Sequence, residues 1–222
     1  MPATRAIEAH DLYRFYHAGE DETLALRGVS FHVDLGETVA LVGPSGSGKS
    51  TLLACLAGLD EPDGGYVMLR GQRLTRRPEA ERAARRAAQV GILLQSGNLL
   101  EHLSIADNVA LPMHLAGAYN ARRQDDLLVR VGLHQHRRAR PSELSGGEAA
   151  RAGLAVALAC GPTVLLADEP TGEVDSETEQ QILKLLDDHR RAGGATVIAT
   201  HSDALSAFAD RVVRLLDGRV VG

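Results

Sequence analysis

The stretch "ETVALVGPSGSGKSTLLACLAGL", residues 37–59, constrains the fold more than any other part of this chain. An apolar run with β-branched residues enters a glycine loop, and a leucine- and alanine-rich run leaves it. A strand, a tight turn and a helix must therefore follow one another. Gly43, Gly46 and Gly48 let backbone N–H groups turn inward, and the helix adds the positive end of its dipole, so the loop is a cradle for phosphate. The spacing satisfies G-x-x-x-x-G-K-[ST], which makes Gly43, Pro44, Ser45, Gly46, Ser47, Gly48, Lys49, Ser50 and Thr51 the candidate phosphate-binding residues. Lys49 offers a compact charge to the outer phosphates and Ser50 a hydroxyl for magnesium. Only two of the 24 Lys and Arg residues are lysine, so the ammonium at position 49 points to a pocket too narrow for a guanidinium fork.

Around this loop the pattern alternates. Residues 27–33, 37–42, 65–70 and 90–94 read as strands and 79–88 as a polar helix. Residues 104–133 carry helical periodicity, with breaks expected at Pro112 and Gly117. From there the order is helix 145–160, strand 163–167, helix 176–192, strand 195–200, helix 203–209 and strand 211–216, followed by an Asp217-Gly218 turn. Strands alternating with helices imply an α/β fold with a mainly parallel sheet. The helical block at about 97–150 interrupts the alternation and reads as a subdomain inserted in one nucleotide-binding core spanning 1–222.

Further candidates sit at strand ends. "VLLADEP" places Asp168 and Glu169 at the carboxyl end of a strand beside the cradle, where Asp168 can hold a magnesium-bound water and Glu169 can polarise the water that attacks a γ-phosphate. His201 follows "ATVIAT" at the same sheet edge and can reach the γ-phosphate. Gln95 ends "VGILLQ" and could ligate magnesium or orient water. Aromatic residues make up 3% of the chain, and three of them, Tyr13, Phe15 and Tyr16, offer a platform for a base. A second glycine loop, "ELSGGEAAR" at 143–151, also suits an anion, which raises the question of why one chain holds two.

The ordered set of cradle, Gln95, "LSGGE", "LLADEP", "TGEVD" and His201 resembles ABC-type ATPase subunits over nearly the whole chain. The resemblance implies a P-loop ATPase domain with an N-terminal antiparallel β part. It implies that Tyr16 stacks on adenine, Glu169 is the catalytic carboxylate, His201 is a switch histidine and 171–175 is the D-loop. Ser145, Gly146 and Gly147 would bind the γ-phosphate of ATP held on a second subunit, identical or a close paralogue, so two chains would sandwich two nucleotides with Mg2+. Length and the "LLADEPTG" form most resemble the short ATPases of lipoprotein-release, macrolide-efflux, antimicrobial-peptide-resistance and cell-division complexes. Their partners are transmembrane permease subunits, received near Leu99, Leu100 and Leu103, and the chain would be peripheral on the cytoplasmic face of the membrane. A mechanotransmission complex controlling an extracytoplasmic activity is the alternative use of the same dimer.

Departures from the family pattern cluster near the expected subunit contact: Glu148 where glutamine is frequent, Ala149 and Ala150 for polar residues, Val156 for arginine, and Glu173 in the D-loop. A net charge of −5 argues against nucleic acid as a ligand. The arginines at 82, 85, 86, 137, 138 and 140 read as solvated faces. Cys55 and Cys160 read as reduced buried thiols, and no apolar run has the length of a membrane span or the form of a signal peptide. The end of the sequence soon after His201 leads to the expectation of no C-terminal regulatory domain.

Overall fold

The structure, a computed structural model, describes residues 5–18, 21–172 and 174–221; Glu173 lies outside them. The cradle stretch folds as its pattern dictates, with strand β3 (Thr38–Val42) running into the loop and helix α1 (Lys49–Leu56) leaving it. Before β3 stand two long strands, β1 (Arg5–Ala18) and β2 (Asp21–Asp34). With β4 (Gly64–Leu69) and β5 (Gln72–Arg73) they form an antiparallel sheet ordered β2-β1-β4-β5. This is the N-terminal antiparallel part, and the strand expected at 27–33 is only the second half of β2.

The larger sheet holds six strands in the order β10-β9-β3-β8-β7-β6. These are β6 (Val90–Leu93), β7 (Val164–Asp168), β8 (Ala195–Ala199), β9 (Arg211–Leu216) and β10 (Arg219–Val221) around β3. All pair in parallel except β10 with β9. Strands β3, β7 and β8 are covered on both faces, which is why they read as continuous apolar runs rather than alternating ones. One apolar cluster joins the two sheets and α1 through residues such as Ile7, Leu26, Leu41 and Leu56. A second joins the other face of the large sheet to helices α3 (Ile105–Leu115), α4 (Ala121–Arg130), α5 (Gly146–Leu158) and α6 (Ser176–Arg191). The short α2 (Glu79–Gln89) and α7 (Asp203–Phe208) complete the chain.

Three expectations are corrected. Helix α3 runs through Pro112 without a break and ends just before Gly117. A proline in a helix forfeits one N–H bond. Buried Asn108 offsets that loss by tying the start of α3 to the preceding loop: its side chain accepts from the Leu100 N–H at 2.7 Å and donates to the Leu100 and Ser104 carbonyls at 3.2 and 3.0 Å. The arginines of α2 are not a solvated face. Arg82 pairs with Glu61 and Glu79, Arg85 donates to Glu81 and to the Arg73 carbonyl, and Arg86 donates to the Gly58 carbonyl, so α2 is stitched to the loop after α1. Finally, Cys55 is buried but Cys160 only half so; burial pushes the Cys55 thiol up to about 12, which keeps it protonated. Among the described residues no helix is long and apolar enough to cross a membrane.

Candidate active site

Because β3, β8, β7 and β6 are parallel neighbours, their carboxyl ends line up along one edge of the sheet. That edge delivers the cradle after β3, Thr200 and His201 after β8, Asp168 and Glu169 at the end of β7, and Gln95 just beyond β6. Together with Tyr16, residues of the cradle, His201, Asp168, Glu169 and Gln95 line a cleft of about 550 Å³. The cradle itself is fixed by close packing. At Gly48 φ is +102°, and a Cβ there would stand 2.5 Å from the Ala25 carbonyl oxygen of β2, so only glycine fits. The Asp217-Gly218 turn braces the same loop: the Gly218 N–H donates to the Ser47 carbonyl at 3.0 Å and the Arg27 N–H to the Gly218 carbonyl at 2.8 Å.

Lys49 is buried and its ammonium donates to the Gly43 and Pro44 carbonyls at 2.8 and 3.1 Å, 3.3 Å from His201 Nε2. The Ser50 hydroxyl donates to Asp168 Oδ2 at 2.6 Å. Two hard oxygens at this spacing suit magnesium, which binds a few protein oxygens and keeps water and phosphate as its other ligands. Among the described residues no group of three or more His, Cys, Asp or Glu could hold a metal, so an ion here takes its other ligands from substrate and water.

Glu169 has φ +47°, a left-handed conformation that costs a non-glycine residue about 1–3 kcal/mol and clusters at functional sites. The Glu169 N–H donates to the Ala199 carbonyl at 2.9 Å, which pins the backbone to β8. Glu169 Oε2 accepts from the Thr200 hydroxyl at 3.0 Å, whereas buried Oε1 has no hydrogen-bond partner and lies 3.8 Å from His201 Nε2. The carboxylate is thus held by one oxygen and unpaired at the other. Thr200 was not a sequence candidate; its position next to His201 at the strand end was the available signal.

Of the three aromatic candidates only Tyr16 lines the cleft. Tyr13 instead packs against Gly64 and Gly28. The Tyr16 hydroxyl donates to Asp60 at 2.7 Å, and the Arg14 guanidinium covers the ring at 4.7 Å from its centroid. Asp60 in turn accepts from Arg14 at 2.8 Å. Burial and the Asp60 carboxylate raise the Tyr16 phenol above its ordinary range, so the hydroxyl stays a donor.

Ser145, Gly146 and Gly147 are not among the residues lining this cleft. Ser145 caps α5 with Glu148 as its reciprocal partner, a capping box that explains the "SGGE" spacing locally. Gly146, Ala149 and Ala150 open on an adjoining cleft of about 680 Å³ that also takes in Thr171 and shares Gln95, Glu169 and His201 with the first. Ala150 and Val156 pack against the second apolar cluster.

The family model of the ABC transporter matches residues 26–172, which contain the cradle, Gln95, the Ser145–Gly147 loop and the Asp168–Glu169 pair. The chain belongs to the ABC transporter family. Within that family it is an ATP-binding cassette ATPase. It is 45% identical to the ABC transporter ATP-binding protein YbbA of Escherichia coli K12, covering 99% of this chain and 98% of that one. It is 42% identical to the macrolide export ATP-binding/permease protein MacB of Chlorobium luteolum, covering 99% of this chain but 33% of that protein's length. The fold matches the ATP-binding cassette MJ0796, solved as a dimer in a post-hydrolysis state with ADP and Pi, at a TM-score of 0.92, 32% identity and 97% coverage of both chains.

Proposed function

We propose that this cassette hydrolyses MgATP as one half of a head-to-tail dimer that drives transmembrane permease subunits, with the second ATPase subunit a copy or close paralogue. The observation that supports it best is the division of the site: Lys49, Ser50 and Asp168 line one cleft with Glu169 and His201, and the Ser145–Gly147 loop meets only the adjoining cleft, through Gly146. The second anion loop then has a use, on the nucleotide of a facing subunit.

In this proposal the cradle N–H groups and Lys49 bind the β- and γ-phosphates, while Tyr16 meets the adenine. A magnesium ion held by Ser50 and Asp168, with Gln95 beside it, would neutralise charge on the outer phosphates. Glu169 Oε1, unpaired while Thr200 occupies Oε2, takes a proton from the water that attacks the γ-phosphorus, and the bond to the β,γ-bridging oxygen breaks so that ADP leaves with that oxygen. His201, between Lys49 and Glu169, donates to a γ-phosphate oxygen. Of Leu99, Leu100 and Leu103, Leu99 packs against the second apolar cluster and Leu100 is exposed; we place the permease contact at Leu100 and at the exposed Leu94 beside Gln95, at the cytoplasmic face of a membrane. Residues 1–222 act as one domain, with the helical part at about 97–150 inserted in the nucleotide-binding core.

Replacing Glu169 with Gln keeps shape and removes the base. Phosphate release should fall by about 10²- to 10⁴-fold with nucleotide affinity retained. Release at the wild-type rate would remove Glu169 from this role.

A further inference from the structure

The Ser145 hydroxyl is already occupied within its own loop. Ser145 Oγ accepts from the Glu148 N–H at 3.3 Å, while the Ser145 N–H and hydroxyl both donate to Glu148 Oε2 at 2.9 Å. An ionised carboxylate can only accept, so the single hydroxyl proton is committed to Glu148. The backbone and hydroxyl bonds from Ser145 hold the Glu148 carboxyl below the usual range, with smaller contributions from His136 and Arg151. His136 stands in the short turn His134–His136, with Nδ1 3.7 Å from Glu148 Oε1, the oxygen that Ser145 does not use. Arg151 is engaged elsewhere, donating to the Val131 carbonyl at 3.0 Å and to the Thr178 hydroxyl at 3.4 Å. His136 and Arg151 are the charged groups acting on this carboxylate from the turn and from α5.

We propose that Glu148 and His136 are positioning residues that gate the signature serine: Glu148 withholds the Ser145 hydroxyl through Oε2, and a charged His136 at Oε1 offsets the carboxylate charge and weakens that hold. The gate rests on the head-to-tail dimer proposed above, in which Ser145 must donate to a phosphate oxygen of the facing subunit. Two effects act together. A carboxylate beside an incoming triphosphate repels it, and a serine whose proton is spent cannot donate to it. Imidazole is the side chain that gains charge between about pH 8 and about pH 5, and that charge offsets the carboxylate. Closure of the ATP-bound dimer therefore tightens as the pH falls.

Glu148→Gln isolates the gate from the cap. Glutamine also serves at the third position of a capping box, so α5 keeps its N-terminus. Its amide oxygen can still accept from the Ser145 N–H and hydroxyl, but it carries no charge, so it holds the hydroxyl more weakly and does not repel an incoming phosphate.

The test uses the full chain with Glu169→Gln, and sedimentation reads the MgATP concentration that gives half-maximal dimer at about pH 6 and about pH 8. The parent should dimerise about threefold more tightly at the lower pH. Adding Glu148→Gln should tighten dimerisation about tenfold at the higher pH and shrink the pH dependence, since an uncharged amide neither repels the phosphate nor holds the hydroxyl as strongly. Adding His136→Gln should give the parent's high-pH value at both. Thermal melting checks that each variant folds; should Glu148→Gln fail that check, His136→Gln decides alone. Unchanged affinity and pH dependence in the folded variants would overturn the gate while leaving the dimer intact. Absence of an ATP-dependent dimer in every background would overturn the head-to-tail assembly, and the gate with it.

Discussion

At Gly48 a methyl group would stand 2.5 Å from the Ala25 carbonyl oxygen, and the backbone already has φ +102°. Gly48→Ala should therefore lower stability by about 1–3 kcal/mol in denaturant melts and weaken nucleotide binding as the loop shifts. Gly46→Ala, whose Cβ would meet nothing within 4 Å, should cost less. The motif forces such residue types at fixed spacing, so the cradle and the Asp168–Glu169 pair were legible in the sequence. Thr200, which holds Glu169, and Asp60, which holds Tyr16, were not, because their partners lie 31 and 44 residues away and meet only in the folded chain.

The β1–β2 hairpin is anchored at the element scale by charge. Arg14 pairs with Asp60 at 2.8 Å and with Asp63 at 3.0 Å, and the Phe15 N–H donates to Asp63 at 2.8 Å. Burial alone would raise the Asp60 carboxyl, but bonds from Arg14 and Tyr16 outweigh it and hold it low. A depressed carboxyl gives stability that is present above its unfolded value and lost as pH falls through the folded one. Urea melts should thus show the hairpin contribution at neutral pH and its loss below about pH 4, and Asp60→Asn should lower stability at neutral pH and flatten that acid limb. An acid limb unchanged in the variant would mean that Asp60 is not part of it.

Element types after β3 were readable from apolar period, but the length of β1 was not. Its pairing with β2 shifts register between Ala9 and Leu12 and again between Arg14 and Phe15, and Asp11 adopts φ +47°. Each bulge resets the alternation that marks a strand, so Tyr13 and Tyr16 take different surroundings. Helix α3 misled in the opposite sense. Pro112 signals a break, and the side-chain bonds of Asn108 to the loop before the helix are invisible to any local pattern.

For the whole molecule, the proposed site is one that a first chain begins and a second completes. Its most direct test mixes two inactive chains, one carrying Lys49→Ala in the cradle and the other Ser145→Arg in the lent loop. Each alone forms dimers with two defective sites. A mixed dimer places both lesions in one site and leaves the other whole. Equal mixing makes half the dimers mixed, so phosphate release should recover to about a quarter of the wild-type rate. A mixture that stays as inactive as either chain alone would contradict the shared site.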